Sequence, residues 1–130
     1  MEKNAVIQFL EGKKIEFVIR SYPIELRDTT LVAKFIGVPE NRLFKSLVVI
    51  KDREPVLIML PSNRHLDLEK LEVGGISPLG LLQKNVPIYI DGTVLEHDWI
   101  VFSAGQRGTT VQMAVADIFN VIKPQILNNA

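Results

Sequence analysis

The chain has 130 residues, 47% of them apolar or aromatic, enough to bury a proper core within a single globular domain. Lys plus Arg and Asp plus Glu number 15 each, which excludes the broad positive field of proteins that coat nucleic acid without regard to sequence, so any such contact must be local. The absence of cysteine excludes a disulfide framework and every cysteine-based zinc site, and the two isolated histidines, His65 and His97, make no metal cluster.

The opening MEKNAVIQFLEGKK is charged from the start and its apolar stretch is broken by Gln8 and Glu11, so it fails as a signal peptide. No apolar run approaches the roughly 18 residues that span a bilayer, and the protein is expected to be cytoplasmic, with no membrane partner. Val6, Phe9 and Leu10 lie at helical spacing ahead of a stop at Gly12. IEFVI reads as a strand. Thr29 or Thr30 can cap a helix whose apolar stripe is Leu31, Val32, Phe35 and Ile36, ended by Gly37 and Pro39. LFKSLVVI and VLIML, separated by KDREP, read as a hairpin of two buried strands.

Asp67 to Leu71 makes a single charged helical turn, followed by the glycine-rich VGGISPLGLL. VPIYI is the next strand; Thr93 and Glu96 then have capping-box spacing for a short helix, and WIVFSA and TVQMAV are two further strands. Ile118, Phe119 and Ile122 mark a closing helix before Pro124. The expected class is α/β of the α+β kind, a mixed sheet or partial barrel flanked by short helices. It is not a Rossmann repeat.

Few residues could carry chemistry. Alternation puts Leu43, Lys45, Leu47 and Val49 on one face of their strand and Phe44, Ser46, Val48 and Ile50 on the other. Lys45 is thus a charge in an apolar strand. Either it snorkels to a strand end or an internal salt bridge, or it enters a cavity where its ammonium holds a phosphate or carboxylate. Gly74 and Gly75 are either a plain turn or a backbone that comes close to a ligand and aims N–H groups at an oxyanion, its shape set by Pro78. FSAGQRGTT reads as a hairpin turn with Gly105 and Gly108 at positive φ, where Ser103 and Arg107 could line a pocket mouth. His65 reads as exposed or capping, and His97 as lying at a helix end. There is no GxSxG, no GxxxxGK[ST] and no Ser/His/Asp pattern.

FKSLVVI, PSNRHLDLEKL, GGISPLG and the SAGQRG turn with its closing helix together resemble the YbaK/ProX family of aminoacyl-tRNA deacylases, which includes the editing domain inserted in bacterial prolyl-tRNA synthetases. The resemblance runs over nearly the whole chain and is most specific in the lysine of FK(T/S)L and the GxxxP loop, here Gly74 to Pro78. It implies hydrolysis of the ester of a mischarged aminoacyl-tRNA, in trans, without metal, cofactor or protein nucleophile. Lys45 would hold the phosphate or ester end, and Gly74 and Gly75 would present N–H groups to the carbonyl. Pro78 would keep that loop rigid, while Tyr22, Ser46 and Ser103 match positions lining the family's pocket. Water or a group on the substrate would attack, so catalysis would rest on positioning and electrostatic stabilisation.

Two departures stand out. Between LEKL and VGGISPLG the family carries a further helix, a strand and a Thr-Gly-Tyr segment absent here, which implies an open site or one completed in a homodimer. Asp28 and Thr29 stand where relatives have an aromatic pocket residue, so a preference for cysteine, alanine or proline does not transfer. The expected partner is the acceptor end of an aminoacyl-tRNA, with Arg64, Lys84 and Arg107 as phosphate contacts, and an aminoacyl-tRNA synthetase is a further candidate partner. The alternative is a non-catalytic binding module that keeps the fold.

Overall fold

The two apolar runs on either side of KDREP pair across a tight turn. β2 (Phe44–Lys51) and β3 (Glu54–Pro61) form an antiparallel ladder that sets Lys45 opposite Leu60 and Ser46 opposite Met59, and Arg53 takes the left-handed turn position at φ 67°. The computed structural model describes residues 5–51, 53–64 and 86–127, so the charged turn at 67–71 and the glycine-rich loop at 73–82 lie outside the described residues.

β3 pairs in parallel with β4 (Ile88–Asp91), and β4 in parallel with β7 (Gln125–Leu127), giving a mixed sheet in the order β2-β3-β4-β7. β1 (Phe17–Ser21), β6 (Thr109–Ala114) and β5 (Trp99–Ser103) form an antiparallel sheet in the order β1-β6-β5. One parallel bridge, Leu43 to Val101, joins the two sheets. The architecture is the expected mixed sheet curled into a partial barrel, flanked by α1 (Ala5–Gly12), α2 (Thr29–Ile36) and α3 (Val115–Val121).

Strand alternation sorts the core into three clusters. Phe44, Leu57, Met59, Ile90, Ile100, Phe102, Val111 and Met113 fill the space between the sheets, closed by Val6 and Leu10 of α1 and Val115 and Ile118 of α3. Leu47, Val49, Val56, Ile58 and Leu60 gather on the opposite face of the four-stranded sheet. Leu43 and Val101 meet Val32 and Ala33 of α2 in a third cluster. Phe44 and Phe102, next to the two bridge residues, are essentially inaccessible; burying each contributes about 1.5–3 kcal/mol.

Four local features differ from the sequence reading. Asp28, not Thr29 or Thr30, is the N-cap of α2, its carboxylate accepting from the Thr30 N–H at 2.9 Å. That start turns Val32 and Ala33 inward and leaves Leu31 and Phe35 exposed. The Thr93–Glu96 capping box is replaced by a 3-10 turn over Gly92–Glu96 capped by the buried Asp91, which accepts from both the amide and the hydroxyl of Thr93. β7, after Pro124, is a parallel edge strand of three residues.

Candidate active site

The Leu43–Val101 bridge fixes what lies beyond it. Two residues further along each strand stand Lys45 and Ser103, so the parallel register sets them level and on the same face of neighbouring strands. No further pairing joins β2 to β5 among the described residues. The stretch beyond the bridge, where β2 and β5 run on without ladder pairing, is the seam between the sheets.

Lys45 is half-buried, and its charge is felt at Asp28 ahead of α2. The exposed Asp28 carboxyl is held below the ordinary carboxylate range chiefly by the Thr30 hydroxyl, which donates to Oδ1 at 2.7 Å, and by the Thr30 amide; the Lys45 charge adds to the effect. That charge is a lesser influence on Asp28 than the Thr30 bonds, and the strand neighbours of Lys45 are apolar.

Tyr22 leaves β1 beside the same seam. Its N–H donates to the Gly108 carbonyl at 2.9 Å, and it packs, half-buried, on the cluster that contains Leu43 and Val101. The turn after β5 closes against it. Gly105 and Gly108 adopt φ 95° and 91°, as the hairpin reading expects, and the Ser103 hydroxyl accepts from the Gly105 N–H at 3.2 Å. Arg107 is exposed at the tip. Tyr22, Ser103 and Arg107 thus lie at the turn after β5, and Lys45 lies on β2 two residues beyond the bridge.

Ser46 leaves β2 on the other face, towards the space between the sheets. Its Oγ is buried and has no hydrogen-bond partner among the described residues. A hydroxyl removed from water without a partner costs about 1–3 kcal/mol, so its retention calls for a reason. Gly74, Gly75 and Pro78 lie outside the described residues, as do His65 and Lys84. His97 ends the 3-10 turn, its N–H donating to the Val94 carbonyl at 3.1 Å. Among the described residues no group of three His, Cys, Asp or Glu is placed to hold a metal ion, and no helix is long and apolar enough to cross a membrane.

Asp28 escapes the sequence reading as a neighbour of Lys45. An acid directly ahead of Thr-Thr and an apolar run is a cap signal that identifies its first role, but the proximity to β2 is tertiary.

The partial barrel is that of a known class of structures. A crystal structure described as a "putative trans-editing enzyme for prolyl tRNA synthetase" superposes with a TM-score of 0.76 at 17% identity, covering 95% of this chain and 93% of that one. Hypothetical protein APE2540 superposes with a TM-score of 0.80 at 14% identity, covering 95% and 97%. In sequence, the chain is 29% identical to an Enterococcus faecalis protein named "Putative Cys-tRNA(Pro)/Cys-tRNA(Cys) deacylase EbsC", over 95% of this chain and 91% of the relative. That alignment has 152 positions against 130 residues here, so at least 22 of them (152 minus 130) have no counterpart in this chain.

The aminoacyl-tRNA editing domain model matches residues 25–73 and 70–121. Its two blocks meet where the sequence passes from DLEKL into the glycine-rich loop. The chain belongs to the aminoacyl-tRNA editing domain family. It is an aminoacyl-tRNA deacylase, a hydrolase of the ester between an amino acid and its tRNA.

Proposed function

We propose that this deacylase acts in trans on a mischarged tRNA in the cytoplasm, with its reacting centre at the seam beyond the Leu43–Val101 bridge. The observation that supports the reading is the Leu43–Val101 bridge, whose register runs on to Lys45 and Ser103 and on whose cluster Tyr22 packs, in a chain of the editing family. Lys45 is the fixed positive charge for a substrate phosphate or for the ester end.

In this reading water adds to the ester carbonyl. Where a hydroxyl or thiol of the substrate's amino acid adds instead, the ribose oxygen is expelled to leave a cyclic ester or thioester that water then opens. The amides of Gly74 and Gly75 receive the developing oxyanion on a loop stiffened by Pro78. Collapse breaks the bond to the ribose oxygen, which leaves with a proton, and the amino acid is freed with water's oxygen in its carboxylate. Ser103 and Arg107 bind the substrate around this centre, and Ser46 supports it from the other face of β2. No protein nucleophile, metal or cofactor enters the scheme. A synthetase that releases mischarged tRNA is the partner it calls for, and a homodimer would supply cover where the family's additional segment is missing.

The test is a panel of mischarged tRNAs, Cys-tRNA(Pro) and Cys-tRNA(Cys) among them, incubated with folded protein. At least one is expected to be deacylated well above its spontaneous rate. Spontaneous rates throughout would overturn the reading.

A further inference from the structure

On α2 the cap at Asp28 turns Val32 and Ala33 into the core, and this exposes two large apolar side chains one turn apart, Leu31 at 51% and Phe35 at 59%. Lys34 is exposed beside Phe35, and Arg27 is exposed just ahead of the cap. The acid nearest this face, Asp28, is turned onto Thr30, and Glu25 and Glu40 lie outside the helix. An aromatic ring and an aliphatic side chain flanked by two cations suit an unpaired polynucleotide, whose bases stack while its phosphates meet the charges.

Position along the helix narrows the occupant. Phe35 lies seven residues beyond Asp28, about 10 Å of helical rise. Val32 and Ala33 pack α2 on Leu43 and Val101, the bridge from which the seam begins, so the helix stands beside the reacting centre and a base on Phe35 belongs to a nucleotide upstream of the one bearing the ester. Resting on the deacylase reading of the seam, we infer that the outer face of α2, through Phe35, Leu31, Lys34 and Arg27, is the stacking surface for the unpaired acceptor nucleotides that precede the terminal adenosine.

The experiment compares two substrates. Phe35→Ser is expected to raise the KM for a hydrolysable aminoacyl-tRNA roughly ten-fold with kcat retained, as loss of one base–aromatic stack predicts. Hydrolysis of the matching 3′-aminoacyl-adenosine, which lacks the upstream nucleotides, should be unaltered, and Phe35→Trp should restore the tRNA KM. An unaltered tRNA KM in Phe35→Ser overturns the stacking surface and leaves the deacylase reading standing. Binding of uncharged tRNA, followed by fluorescence anisotropy at fixed salt, decides separately. Should the wild type hydrolyse neither ester, the function reading falls, and the surface stands only if Phe35→Ser weakens this binding by a similar factor.

Discussion

The guanidinium of Arg42 lies 4.2 Å from the ring centre of Trp99, while its Nη1 donates to the Trp99 carbonyl at 3.1 Å and to Asp98 at 3.2 Å. Arg42 directly precedes the bridge residue Leu43, and Trp99 opens β5, so one side chain clamps the strands that form the seam. Asp98 is largely exposed and its ion pair is worth little; the stack and the carbonyl bond do more. Arg42→Ala should cost about 1–2 kcal/mol in denaturant unfolding. Arg42→Lys should recover only a small part, because an ammonium cannot stack and fork together.

Acid should weaken the same clamp. The Asp98 carboxyl is held below the ordinary carboxylate range, first by its hydrogen bond from Arg42. A depressed folded-state pKa contributes stability that is complete above the unfolded value of about 3.9 and is lost as pH falls through the folded value. The stability difference between wild type and Asp98→Asn should therefore be constant near neutrality and shrink below about pH 4. A difference that grows on acidification would contradict this assignment.

Gly108 is needed for its shape. At φ 91° a Cβ would stand 3.0 Å from Ile24 Cγ2 and 3.1 Å from the Tyr22 carbonyl oxygen, and the Tyr22 N–H is tied to the Gly108 carbonyl. Gly108→Ala combines a disfavoured conformation with pressure on that backbone and should destabilise by about 1–3 kcal/mol. Because the pressure falls on Tyr22, deacylation should drop even below the melting transition. Thermal unfolding and turnover at low temperature measure the two effects.

What could be read from the sequence follows the physics of each feature. The β2–β3 hairpin is legible because two apolar runs flank a five-residue polar break, and the Gly105–Gly108 turn because only glycine takes those angles cheaply. The orientation of α2 is not legible. Five of its eight residues are apolar, so periodicity allows more than one buried face, and the Asp28 cap decides which. β7 is three residues long and forms only because β4 offers a parallel edge. In the site, alternation along β2 correctly separates Lys45 from Ser46. The level placement of Lys45 with Ser103, and the approach of Asp28, arise from contacts far apart in the chain.

Ser46 offers a separation of stability from function. Its Oγ is buried without a partner among the described residues, so Ser46→Ala removes a desolvated hydroxyl and no hydrogen bond seen there. The variant should be as stable as wild type or up to about 1 kcal/mol more so. If the hydroxyl waits for substrate, turnover should fall about ten-fold at the same time, since one neutral hydrogen bond is worth about 0.5–1.5 kcal/mol. A more stable protein with undiminished kcat/KM would remove Ser46 from the site.

Lys45 decides the location of the chemistry. Lys45→Met keeps most of the side chain's apolar bulk on the face shared with Leu47 and removes only the ammonium. Unfolding should shift by no more than about 1 kcal/mol, while loss of a fixed charge aimed at the reacting group should lower kcat/KM by about 100-fold or more. Lys45→Arg should not rescue, because a planar fork has a different reach and geometry from a compact ammonium. The Asp28 carboxyl reports on the folded variant. In Lys45→Met it should titrate somewhat higher than in wild type yet still below the ordinary range, since the Thr30 hydroxyl and amide, the larger influences, remain. A folded variant with this Asp28 signature and unimpaired deacylation would place the reacting centre away from β2.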